Sequence, residues 1–320
     1  MTGGMPTRIR FERVSTEAPN PASRGLDRLS AVEIARLMNR EERRAVRAVG
    51  RVARSIGAAV DLIVLALRHG GRLVFVGAGT SGRLGVLEAA ECPPTFGTPS
   101  TQVRGIIAGG RRAVFRSREG AEDDERAAVG QVRAVVRPGD VVVGLSASGV
   151  TPFVRAALRA ARAGGAATVL VACNRRAALA GLADVIIALE TGPEVLAGST
   201  RLKAGTATKL VLNTLTTAAM ARLGKVYGNR MVDVQPRSRK LRDRALRLVA
   251  EIARVPRSVA ARVLDASGGR VRLASVMAWR SVDRRAAARL LRDAGGDLRA
   301  ALGPPRRRSR RRRTTRASGL

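Results

Sequence analysis

At 320 residues with 45% hydrophobic content, the chain can bury one sizeable core and still carry smaller attachments. Its formal net charge of +34 makes it a polycation, yet no zinc-knuckle spacing and no aromatic-interleaved basic run marks a dedicated nucleic-acid module. One histidine and two cysteines argue against a multi-histidine metal site, a disulfide framework and histidine-based acid–base catalysis.

The first 15 residues read as unstructured. An extended arm, "STEAPNPAS", then leads into a helix with Ser30 as N-cap and Glu33 three residues on, the spacing of a capping box. Helical periodicity runs on to Gly70-Gly71. From there short apolar runs at 72–77, 103–107, 140–145, 167–172 and 184–189 alternate with helical stretches, notably 151–164 and 203–223. Continuous apolar strands interleaved with helices predict a doubly wound, mainly parallel five-stranded α/β sheet, covered on both faces. Ligands of such sheets bind beyond the carboxyl ends of the strands. After residue 226 the strand signals stop, and 240–302 reads as short amphipathic helices. The expected organisation is an arm with helices over 1–59, the sheet domain over 60–226, a small helical domain over 227–302 and a disordered Arg-rich tail over 303–320.

That tail carries eight arginines and no acid, which suits nonspecific binding of polyanions. The chain has only four lysines, Lys203, Lys209, Lys225 and Lys240, all between 203 and 240, although Arg fills nearly every other basic position. A solvated face accepts Arg, whereas a tight site built around a compact ammonium does not, so the cluster points to a functional region. No run of 18 uncharged apolar residues and no signal-type stretch is visible, and a soluble cytoplasmic protein without membrane contact is expected.

Two strand-to-helix turns share a design. "VFVGAGTSGR" places Thr80, Ser81 and Gly82 after the first strand, and "VVVGLSASGVTPF" places Ser146, Ser148, Gly149 and Thr151 after the third. Unpaired N–H groups at a helix start, small hydroxyls and a closely approaching backbone suit a phosphate monoester without a metal or cofactor. One such loop is weak, because Ser and Thr cap helices everywhere. Two on one predicted sheet are stronger.

The spacing S-x-S-G-x-T together with G-T-S-G resembles the sugar isomerase (SIS) fold that binds phosphosugars. More closely, "TEAPNPAS", "GAGTSGRLGVLEAAECPPTFG", "EGAEDD", "PEVLAGSTRLKAGTATKLVLN" and "GKVYGNRMVDV" make residues 16–234 resemble the N-acetylmuramic acid 6-phosphate etherase family. The resemblance implies cleavage of a D-lactyl ether from a 6-phosphosugar by elimination and hydration. It implies no cofactor and a homodimer that completes the pocket. It also implies that Glu91, in "AAECPPT", is the acid assisting lactate departure, and that Glu122, in "EGAEDD", is the base at C2. By themselves, Glu91 reads as a helix-end residue and the acid-rich 119–125 as a helical first turn opposing the macrodipole. Ser81 and the 146–151 loop would hold the phosphate, with Lys203 a candidate substrate contact and Lys209 about as well read as a solvated face. Val150 stands where the family usually has Arg. Another SIS enzyme, such as a phosphosugar isomerase, and a noncatalytic phosphosugar sensor are the competing readings.

Overall fold

A computed structural model describes residues 15–175, 177–234 and 238–304. The expectations for residues 1–14 and for the tail beyond residue 304 therefore lie outside the described residues. The chain divides into two compact units, meeting at Val226 and Tyr227.

The first unit opens on the arm and two helices, α1 (Ala31–Arg51) and α2 (Ala53–Arg68). The predicted capping box forms: the Glu33 N–H donates to Ser30 Oγ, and Glu33 Oε2 accepts from the Ser30 N–H at 2.8 Å. Along α1 the buried residues Leu37, Glu41, Ala45 and Ala48 recur at helical spacing, so one stripe faces inward and a carboxylate sits within it.

Strands β1 (Leu73–Gly77), β2 (Val103–Ile107), β3 (Val141–Leu145), β4 (Ala167–Ala172) and β5 (Val185–Ala188) form one parallel sheet in the order β2-β1-β3-β4-β5. All five predicted strands are present. Helices α3 (Gly79–Phe96), α4 (Arg112–Phe115), α5 (Glu125–Val135), α6 (Pro152–Ala163) and α7 (Lys203–Arg222) connect or follow them. Because side chains alternate across a strand, each strand feeds two cores. Leu73, Phe75, Val143 and Val171 pack with α2 and α7 on one face. Val74, Val76, Val142 and Leu170 pack with α5 and α6 on the other. The Arg72 guanidinium and backbone N–H both bond Asp140, and the Arg137 N–H bonds it as well, pinning the starts of β1 and β3 side by side.

The strand order reverses direction at β1, so the carboxyl ends of β1 and β3 lie next to each other and their following loops diverge to opposite faces. That is the crevice in which doubly wound sheets bind ligands.

The second unit is helical: α8 (Arg239–Ala253), α9 (Arg257–Ala266), α10 (Val271–Arg280), α11 (Arg284–Asp293) and α12 (Leu298–Leu302). They enclose their own core of Val249, Leu264, Ala274, Val276 and Ala287. Among the described residues, no helix is long and apolar enough to cross a membrane.

Candidate phosphosugar site

The turn after β1 is built by glycine. Gly79 adopts a φ of +52°, a left-handed conformation that side chains disfavour. A Cβ on Gly82 would lie 2.6 Å from both the Gly77 carbonyl and Ile107 Cγ1, so α3 seats directly against β1 and β2 only because position 82 has no side chain. Gly82, expected among the ligand contacts, is thus buried packing; its absent side chain sets where Thr80 and Ser81 stand. Among the described residues no side chain caps α3, which leaves its first-turn N–H groups and positive dipole end open beside those two hydroxyls.

A cavity of about 240 Å³ opens there. Thr80, Ser81 and Arg83 line it from α3, Thr151 from the start of α6, Thr200 from the loop before α7, and Ser117 to Glu119 with Glu122 from the segment after β2. Glu122 is exposed on a short turn, Ala121–Asp123, that follows Gly120 at a φ of +74°. The Ser117 hydroxyl donates to Glu119 Oε1 at 3.0 Å, and Arg83 Nε donates to the Val114 carbonyl at 3.0 Å, which fixes the far wall against α3. Four of the expected residues thus share one cavity: Thr80, Ser81, Thr151 and Glu122. Arg83, Arg118, Ser117 and Glu119 were not singled out in the sequence. Arg83 had a usable signal, since it continues the glycine turn as G-T-S-G-R.

The turn after β3 holds its hydroxyls in internal bonds. Ser146 is buried, with its hydroxyl 2.7 Å from Thr151 Oγ1 and accepting the Gly149 N–H at 3.1 Å. Ser148 Oγ faces the Val150 N–H, and its carbonyl accepts from Asn174. Gly149 has a φ of +74°, and a Cβ there would strike Ala177 at 2.5 Å. Ser146, Ser148 and Gly149 therefore shape a tight turn that presents Thr151 to the cavity, and are not among its lining residues. Val150 is buried, so the position that the resemblance gives to Arg is apolar here.

Two further expectations separate from the cavity. Lys203 does not reach it: the side chain is fully buried, and its ammonium lies 2.6 Å from Glu41 Oε2. The Asn20 amide donates to that same oxygen at 2.8 Å and to the Pro193 carbonyl at 3.1 Å. Lys203 thereby ties α7 to α1 and the N-terminal arm, because an ammonium removed from water requires a carboxylate partner. Glu194 caps the same helix start, accepting the Lys203 and Ala204 N–H groups at 3.0 and 2.9 Å; burial nonetheless raises its proton affinity above the ordinary carboxylate value.

Glu91 is exposed on α3, ten residues beyond Ser81, about 15 Å along the helix axis at 1.5 Å per residue. It is not among the cavity's lining residues. One turn before it, the buried Glu88 accepts from Thr216 Oγ1 at 2.6 Å and from Lys209 Nζ at 2.8 Å. Cys92 and Cys173 are both buried, and burial pushes each thiol up to about 12, so neither is a ready nucleophile. Among the described residues, no group of three or more His, Cys, Asp or Glu side chains could hold a metal ion.

Residues 120–218 match the family model of the SIS domain, and residues 55–162 match that of the glucokinase regulatory protein N-terminal SIS domain. The sheet and its crevice are therefore an SIS-type α/β domain. The chain is 50% identical over 303 residues to the N-acetylmuramic acid 6-phosphate etherase of Synechocystis, covering 93% of this chain and 99% of that one. It belongs to the N-acetylmuramic acid 6-phosphate etherase family. The etherase of Geobacillus thermodenitrificans is likewise 50% identical over 293 residues, covering 91% of this chain and 99% of its own. A solved phosphoheptose isomerase from Neisseria gonorrhoeae covers 60% of this chain at a TM-score of 0.46 and 20% identity. The family's shared length includes both units, so the helical second unit is part of what this etherase-family chain has in common with its relatives.

Proposed function

We propose that this chain is a carbon–oxygen lyase that cleaves the D-lactyl ether of N-acetylmuramic acid 6-phosphate, yielding N-acetylglucosamine 6-phosphate and D-lactate, and that it acts in the cytoplasm in recycling cell-wall amino sugars. The phosphate sits at the open N-terminus of α3, between Ser81, Thr80 and Thr151. With the sugar ring open, the C2 proton is acidified by the neighbouring aldehyde. Glu122, which lines the same cavity, removes it. The electron pair then expels lactate from C3 as Glu91 protonates the departing ether oxygen, and water adds to the unsaturated aldehyde. Each positioned acid or base is worth on the order of 100- to 10,000-fold in rate.

The observation that carries this reading is the meeting of an uncapped helix start, five hydroxyls and two carboxylates in one cavity, in a chain half identical to named etherases. The position of Glu91 adds a constraint. From phosphorus to the ether oxygen that must be protonated the substrate runs through six bonds, at most about 9 Å at roughly 1.5 Å per bond. Even with about 4 Å of glutamate side-chain reach added, that falls short of the roughly 15 Å between Ser81 and Glu91 along α3, so in this reading the acid comes from a second copy. A homodimer in which each protomer lends Glu91 to its partner's cavity follows, as symmetric two-fold assembly allows.

The test is D-lactate release from N-acetylmuramic acid 6-phosphate by wild type, Glu91→Gln and Glu122→Gln. Release by wild type, with at least a 100-fold loss in both variants, is expected. Both side chains are exposed, so their folding is undisturbed. A well-folded wild type that releases no lactate would sink the reading; formation of a 1,2-isomer instead would make it an isomerase, and binding without turnover a sensor.

A further inference from the structure

Resting on that reading of the reaction, we infer that Lys209 binds the carboxylate of the lactyl group, as a substrate contact delivered together with Glu91 to the partner's cavity. The first observation is chemical. Only four of the chain's 59 basic residues are lysine, and Lys209 is one that has not drifted to Arg. Its surroundings explain the constraint. The ammonium donates to Glu88 Oε2 at 2.8 Å and to Asn213 Oδ1 at 2.7 Å, a three-centre grip that the wide planar fork of Arg does not fit.

The second observation is the remaining donor. An ammonium has three N–H groups, and two are taken by Glu88 and Asn213. The Glu88 side chain is only 7% exposed, whereas that of Lys209 is 32% exposed, so the third N–H looks outward. Buried Glu88 aims the ammonium from below and Asn213 holds it from the side.

The third observation is where it looks. Glu88 and Glu91 stand three residues apart on α3, which makes them neighbours on the helix surface, and the Lys209 ammonium is bonded to the first of them at 2.8 Å. The exposed ends of Lys209 and Glu91 therefore share one region of the α3–α7 surface. In the substrate, the ether oxygen and the carboxylate are attached to the same lactyl carbon. A group that protonates that oxygen must have, a few ångströms away, whatever holds the carboxylate. Lys209 occupies that position.

The experiment compares two substrates on two proteins: N-acetylmuramic acid 6-phosphate and its lactamide, in which the carboxylate is a neutral amide. Wild type should prefer the acid by about 10- to 100-fold in kcat/KM, the worth of one charge-assisted hydrogen bond. In Lys209→Gln that preference should collapse towards unity, with activity on the amide largely kept. A merely structural role for Lys209 would lower both substrates alike and leave the ratio intact, which overturns the inference. If Lys209→Gln folds poorly because Glu88 is left uncompensated, the pair Glu88→Gln/Lys209→Gln restores a neutral hydrogen-bonded contact, and the same ratio is read there. Loss of lactate release from wild type is the separate failure that removes the reaction itself, and this contact with it.

Discussion

The Lys203–Glu41 pair allows a sharp test of how the first unit is held together. Lys203→Met keeps the length of the side chain and deletes the ammonium. The structure then leaves Glu41 buried, with Asn20 at 2.8 Å and the partly exposed Arg44 at 3.4 Å as its remaining partners. Removing one member of a buried pair typically costs about 3–5 kcal/mol, because the survivor's desolvation is no longer offset. The converse variant, Glu41→Leu, strands Lys203 in a site with no exposure at all and should cost at least as much. For a domain of this size roughly 2–4 °C of melting temperature is lost per kcal/mol, so each single variant should melt about 10 °C lower. The double variant Glu41→Leu/Lys203→Met should recover most of that loss, since an apolar pair of similar volume fills the site without desolvated charge.

Urea titrations of the four proteins at pH 7 complete the cycle. The pH dependence carries a sign. Burial raises the proton affinity of Glu41, but bonds from Lys203 and Asn20 and the neighbouring positive charges outweigh it, so the folded-state value lies below the ordinary 4.5. The pair's contribution is thus present in full above pH 4.5 and disappears as pH falls through the lowered folded value. Below that point wild type holds a neutral Glu41 beside a stranded buried ammonium, so it should fall below the double variant and approach Glu41→Leu. Single variants within 1 kcal/mol of wild type, or a double variant as unstable as the sum of the singles, would refute the argument.

Three further outcomes are expected. Mixing and refolding Glu91→Ala with Ser81→Ala, each inactive alone, should restore about a quarter of wild-type lactate release, because half the dimers then contain one intact site of two; no recovery would place Glu91 and the cradle in one copy. Gly82→Ala should destabilise by about 1–3 kcal/mol in thermal melts, since its Cβ would meet Gly77 O and Ile107 Cγ1 at 2.6 Å, and an unchanged melting temperature would show that α3 can shift freely. At pH 8 a thiol reagent should label neither Cys92 nor Cys173 in the native protein and both after unfolding, because each is 1% exposed and pushed up to about 12; rapid native labelling would contradict the burial.

By itself the sequence determined the order and type of the elements and the glycine turn, with Thr80 and Ser81, on which the cavity opens. Apolar runs buried on both faces, glycines at a strand-to-helix turn and a Ser30–Glu33 cap are local patterns, and local sterics and hydrogen bonding are enough to read them. The motif around Glu91 and Glu122 was also legible, though only as resemblance. What tertiary structure decided was which polar groups face solvent. Ser146 and Lys203 look like ligand contacts in the sequence, and the fold gives each an internal partner that the sequence does not show, Thr151 across five residues and Glu41 across more than a hundred and fifty. Lys209, read as an equal chance of a solvated face, meets Glu88 from another helix. Arg118 and Thr200 reach the cavity from loops far apart in the chain. The cost of stranding a buried charge is set by which group packs opposite it, and that partner comes from a distant segment brought close only when the sheet and its helices assemble.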